Sequence, residues 1–182
     1  MRIFKQGLRV AAFATAPLRL NGSALIVSVV GRQGMIEGIL SDRIRNKDSA
    51  TRVIARMLNR SKFKNQECLI VTNGIAVAGL NIIDPEEAER LTRKRLIMIT
   101  RHTPSKERLK SALVNSKAAN LREKIGIVSS KKIRKSKQQG FFIFSMHGEE
   151  IPKELLDTAV SLLRIAHMVA RGVATGESKG RI

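Results

Sequence analysis

The chain has 182 residues, 43% of them hydrophobic, which suits one folded domain with a sizeable core and excludes a disordered chain. Its single cysteine, Cys68, excludes an internal disulfide and cysteine-based metal sites, and fits a reducing, cytoplasmic setting. The 34 Lys and Arg against 15 Asp and Glu leave a net charge of +19, a self-repelling surplus that calls for a polyanionic partner. Nucleic acid, DNA or RNA, is the first expectation, ahead of a membrane surface or an acidic protein; plain solubility in a hot or salty cytoplasm is the bland alternative.

In chain order, Arg2, Lys5 and Arg9 precede a short apolar run ending at Ala14, Thr15 and Ala16 before Pro17, which imitates a secretion signal. Arg9 abuts the run, however, and Leu8, Val10 and Ala12 alternate with their neighbours, so residues 8–14 read as the first strand. No run approaches the ~18 apolar residues of a membrane span. Residues 25–30 and 35–44 read as two more strands, joined by short turns into an antiparallel meander. The period then changes. Asp48 or Ser49 is placed to cap a helix that puts Val53, Ile54, Met57 and Leu58 on one face. Residues 68–72 form an apolar strand ending at Asn73-Gly74. Asp84, Pro85 and Glu87 mark a second helix start, and residues 96–100 a further strand. The spacing predicts one helix over 105–124, short strands over 125–128 and 141–145, and a basic loop over 129–140. A last helix over 152–171 carries Leu155, Ala159, Leu162, Ala166 and Val169 on one stripe, with Gly172 and Gly176 to end it. The order implies a single α/β domain over 1–182: a mixed sheet, three-strand meander first and then αβαβα, with helices on both faces.

The cations cluster. Residues 90–148 hold 16 Lys and Arg and only two acids, Glu107 and Glu123, and no acid precedes Glu37. Arg101 and the run Lys131, Lys132, Arg134, Lys135 and Lys137 are candidate phosphate contacts. Phe141, Phe142 and Phe144 follow, available for base stacking or, more commonly, for the core. His167 lies on the stripe of Leu156, Val160 and Leu163 and reads as a packed histidine; His102 and His147 are isolated.

Several stretches combine polar residues with glycine: Ile36-Glu37-Gly38, the helix start at Ala50-Thr51, Asn73-Gly74-Ile75 with Ala78-Gly79 and Asn81, Ala166-His167, and Gly176-Glu177-Ser178-Lys179-Gly180-Arg181. With these, the sequence from Leu8 to Arg181 resembles the archaeal endonuclease dU family, similar in fold to endonuclease V. The resemblance implies a ribonuclease H-like domain and metal-assisted hydrolysis of a phosphodiester near a deaminated base. It also implies acids at the end of the first strand, before the first helix and at the end of the fourth strand, converging on Mg or Mn. Here those positions read Ala14 and Thr15, Asn46 and Ser49, and Asn73.

An asparagine ligates a hard cation without charge and an alanine not at all, so the metal affinity expected of such a site falls steeply. The remaining candidates are Glu37, Asn73 and Glu177 as catalytic groups, and Glu37, Asp48 and Glu177 as metal ligands; Asp84 is a further acid that reads as a helix cap. Lys179 and Arg181 are placed to assist phosphate binding at the C-terminal glycines. The first functional expectation is therefore a nucleic-acid-binding relative of the nucleases with weak or lost cleavage and no metal required. The alternatives are an active Mg-dependent endonuclease acting at deoxyuridine or deoxyinosine through a relocated acid set, and an RNA-binding ribonucleoprotein component. A protein partner or a homo-oligomer is compatible with each.

Overall fold

The structure is a computed structural model that describes residues 4–5, 7–45, 47–103, 105–116, 120–148 and 150–178. Three strands open it: β1 (Arg9–Thr15), β2 (Ser23–Arg32) and β3 (Met35–Arg45), paired antiparallel as a meander. Helix α1 (Ala50–Asn59) leads to β4 (Cys68–Thr72), the small hairpin β5 (Ala76–Val77) and β6 (Asn81–Ile82), helix α2 (Pro85–Thr92) and β7 (Leu96–Thr100). Helices α3 (Lys106–Asn115) and α4 (Leu121–Ser129), the hairpin β8 (Arg134–Gln138) and β9 (Phe141–Ser145), and the long α5 (Lys153–Thr175) complete it. The main sheet runs β3-β2-β1-β4-β7-β9-β8, with β1, β4 and β7 parallel and every other pairing antiparallel.

Each face of the sheet carries its own core. Helix α5 lies across β1 and β2 on one face. Small residues let it come close: Ala12 and Ala14 on β1 and Ala16 just beyond meet Ala159, Ala166 and Ala170, and Leu162 and Leu163 fill the flanks. On the other face α1 and α2 pack over Ala11, Phe13, Ile26, Ile70 and Met98. A third, smaller cluster joins α3 and α4 to the β5–β6 hairpin through Leu113, Val128 and Ile82. Full burial of a leucine-sized side chain contributes roughly 1.5–3 kcal/mol, so these clusters carry the fold.

Ser49, not Asp48, caps α1: its hydroxyl accepts the Arg52 N–H at 3.3 Å. Asp84 caps α2, accepting from Glu86 and Glu87 with Pro85 at the first turn. Residues 125–128 are helix rather than strand, because Leu121, Ile125 and Val128 recur at helical spacing and dock on β6. The helix expected over 105–124 is two helices, parted near Asn120, whose backbone takes the left-handed form at φ 56. The loop expected over 129–140 is largely β8 and its tight turn; Gln139 and Gly140 take φ 50 and φ 81, the form that a two-residue hairpin needs. An edge strand exposed on much of its surface needs no apolar alternation, so Arg134–Gln138 carries no strand signature in its sequence.

Candidate functional site at the carboxyl edge

The parallel strands β1, β4 and β7 end along one edge, where ligands of open α/β sheets commonly bind. The pairing Phe13 with Thr72 continues so that residue 73 falls beside Ala14. Ala14 is 4% exposed and its methyl packs into the α5 core. The Thr15 hydroxyl accepts the Ala78 N–H at 3.0 Å, and Asn73 is exposed with a neutral amide. The stretch that follows folds back over the edge. Thr72 Oγ1 donates to the Gly74 carbonyl at 2.9 Å, and Gly74 and Gly79 take φ 77 and φ 82, which glycine alone adopts without strain. Buried Asn81 donates its amide to the Ala78 carbonyl at 3.2 Å and reaches the Arg45 carbonyl at 3.5 Å. The Thr51 hydroxyl accepts the Asp84 N–H at 2.9 Å. These bonds tie the end of β1 to the β5–β6 hairpin and the end of β3, and separately the start of α1 to the start of α2. Sequence reasoning names Thr51 and Asn81 within the family motifs but not as site residues.

Acids near this edge have other work. Asp48 accepts the Arg45 N–H at 2.8 Å. With Asp84, Glu87 and Glu123 it lines a hollow of about 260 Å³ that also holds Lys47, Arg52 and Lys124. Asp84 is committed to its cap, and Glu87 pairs with Arg52 at 3.1 Å. Glu37 lies elsewhere: its carboxylate is clamped by Arg9 at 2.5 Å and Arg32 at 2.8 Å. Arg9 begins β1, six residues and roughly 20 Å from Thr15. The Arg9 guanidinium holds the Glu37 carboxyl below its ordinary value, with Arg32 adding to the effect. Glu177 is exposed just past α5, whose C-cap Gly176 takes φ 84. Helix α5 starts beside Leu8 and runs along β1, and at about 1.5 Å per residue it outreaches the strand, which carries Glu177 toward the carboxyl edge. Asn46, Lys179 and Arg181 lie outside the described residues.

These residues do not fit a Mg or Mn ion. The strand ends offer a buried methyl, a hydroxyl already engaged and one neutral amide, where a hard divalent cation needs several charged oxygens. Among the described residues no group of three or more His, Cys, Asp or Glu side chains is placed to hold a metal.

Positive charge flanks the same edge. Arg101 follows β7 and lies 5.8 Å from the Phe141 ring centroid. Lys135 and Lys137 pair opposite Phe144 and Phe142, and their ammoniums sit 4.6 and 5.6 Å from the Phe142 centroid. Phe141 packs against the α5 core and Phe144 against the opposite one, so the aromatic trio builds the sheet and orients lysines. Lys131 is exposed at the turn into β8. Lys132 pairs with Glu86 at 2.7 Å, and Arg134 reaches the His147 carbonyl at 3.5 Å. Half-buried His167 has its pKa lowered by burial and then by Arg171, which favours the neutral ring. No helix among the described residues is long and apolar enough to cross a membrane.

A mixed seven-stranded sheet opening with a meander and covered on both faces defines a ribonuclease H-like α/β protein. The catalytic domain of human endonuclease V superposes with a TM-score of 0.55 at 11% identity, over 93% of this chain and 83% of that one, a likeness of fold. A protein from Archaeoglobus fulgidus superposes with a TM-score of 0.76 at 22% identity, over 91% and 98% of the two chains. The sequence profile of endonuclease dU matches residues 6–174, and the chain belongs to that family. A "UPF0215 protein" of Methanosarcina mazei is 33% identical over 175 residues, 89% of each chain, and one of Methanosarcina acetivorans 31% identical over the same shares.

Proposed function

We propose that the chain binds nucleic acid across the carboxyl edge of its sheet and the adjoining β8–β9 face, with weak or lost metal-dependent cleavage of its own. One observation carries this reading: the strand ends of β1 and β4 hold Ala14, Thr15 and Asn73 and no carboxylate, while Arg101 follows the neighbouring β7 and Lys135 and Lys137 lie on β8 at the far edge of the sheet, beyond β7 and β9. Fixed cations beside strand ends that carry no acid attract phosphates through counterion release. The two lysines are held over an aromatic ring, which restricts their rotamers and lowers the entropy lost on contact. Family membership and a fold shared with endonuclease V support an endonuclease-like, nucleic-acid-processing ancestry.

Titration of fluorescent single-stranded, duplex and deaminated oligonucleotides across a salt series tests the binding. Each phosphate contact removed should reduce the salt slope by about 1, so Lys135→Ala with Lys137→Ala should reduce it by about 2 and weaken all sequences alike. Incubation of deoxyuridine and deoxyinosine duplexes with Mg²⁺ or Mn²⁺ tests the chemistry. Little nicking is expected from the native chain. Robust nicking that Glu177→Gln or Asp48→Asn abolishes would sink this reading in favour of a relocated acid set. Gain of nicking in a Thr15→Asp, Asn73→Asp variant would support a decayed centre, since a carboxylate in place of the Thr15 hydroxyl could still accept the Ala78 N–H.

A further inference from the structure

At the opposite edge, where β1, β4 and β7 begin, a cavity of about 720 Å³ opens between the 64–67 loop and the 91–95 turn. That is the size of ordinary small-molecule sites. Its lining holds Lys5, Lys64, Arg93, Lys94 and Arg95 against one acid, Glu67, which Lys5 engages at 3.1 Å. The floor is apolar, formed by Phe4, Leu8, Leu69 and Leu91.

Both walls are fastened. Buried Lys94 donates its ammonium to the carbonyls of Lys64 at 2.8 Å and Gln66 at 2.7 Å, tying the loop to the turn. Asn59 donates to the Leu91 carbonyl at 3.0 Å, and α2 ends at Arg93, whose left-handed backbone (φ 57) turns the chain while the residue stays exposed. The cavity is therefore preorganised.

We propose that this cavity binds a nucleotide. Lys64 and Arg93 take the phosphate at the rim, and the base lies against the apolar lining. The cation surplus demands an anion and the apolar lining a flat body; a nucleoside phosphate supplies both. The site stands about the length of β1 from the carboxyl edge and does not depend on the binding proposed there.

Calorimetric titration of the full chain at low ionic strength, with AMP, ribose 5-phosphate, adenosine and inorganic phosphate, tests it. AMP should bind saturably and roughly tenfold or more tighter than ribose 5-phosphate or phosphate, since each lacks one of the complementary parts. Lys64→Ala with Arg93→Ala, both on exposed side chains, should weaken AMP about tenfold or more. Lys135→Ala with Lys137→Ala should leave AMP binding unchanged while weakening oligonucleotides, which separates this site from the carboxyl edge. Competition by a trinucleotide would identify the natural occupant as a nucleotide within a strand, and its failure a free nucleotide. Absence of AMP binding, equal binding of phosphate, or AMP binding lost with the β8 lysines instead of Lys64 and Arg93 would overturn the proposal.

Discussion

The two ends of β1 hold opposite kinds of electrostatics. At the start, Arg9 meets Glu37, which Arg32 also grips, and the carboxylate is fully committed. At the finish, Ala14 is buried against α5, and Thr15 and Asn73 bring no charge at all. The contrast teaches that the presence of an acid in such a chain says little about its availability. The carboxylate first in the sequence is locked in a structural pair, while the ends of β1 and β4 carry neutral residues and the acids near them are engaged as caps or ion pairs. Glu86, Glu87 and Asp42 follow the first pattern, each paired to a cation within 3.1 Å.

The largest test of this contrast is Ala14→Asp. A carboxylate forced into the α5 core, beside Ala166 and Ala170, should destabilise the fold by about 3 kcal/mol or more in urea unfolding. Recovery of that loss on adding Mg²⁺ would show a usable metal hollow and break the comparison. Next is Glu37→Gln. It removes a partly exposed carboxylate from two arginines and should cost about 1 kcal/mol, with nucleic-acid affinity unchanged or slightly higher. The pH dependence sharpens the point. Because its two arginines hold the folded Glu37 carboxyl below its unfolded value, its stabilising contribution is present above the unfolded value and is lost as the pH falls through the folded one. The variant should lack that part of the acid-side decline in chemical denaturation. The smallest effect belongs to Asn73→Asp: exposed and beyond the last hydrogen-bonded pair of β4, it should change stability by no more than about 0.5 kcal/mol while weakening oligonucleotide binding measurably. Unchanged binding would place the polyanion away from this edge.

Much of the fold was legible because its signals are local. The β-branched run of β2 and β3, the Asp84-Pro85 cap and the apolar stripe of α5 each announce their element. Where a segment's partners lie far away, the reading failed. Residues 125–128 carry two isoleucines and a valine that suit a strand equally well, and only docking on β6 selects helix. Arg134–Gln138 is polar throughout, and only pairing with β9 makes it a strand. Of the candidate site, residue identity alone carried the excess of cations and the neutral residues Ala14, Thr15 and Asn73. What was not legible was the Thr15–Ala78 and Asn81 linkage across the carboxyl edge, the capture of Glu37 by Arg9 and Arg32, and the amino-edge cavity with Gln66 on its wall.

The sequence by itself determined the charge surplus, the element types with strong local periodicity and the family motifs. These depend on residue identity and near-neighbour spacing, which a linear chain carries in full. Only the tertiary structure decided which acids are already neutralised, which lysines are aligned over Phe142, and where cations from separate segments of the chain converge around one hollow. Electrostatic and hydrogen-bonding partners are set by distances of a few ångströms between residues tens of positions apart, and those distances exist only once the sheet has brought the segments together.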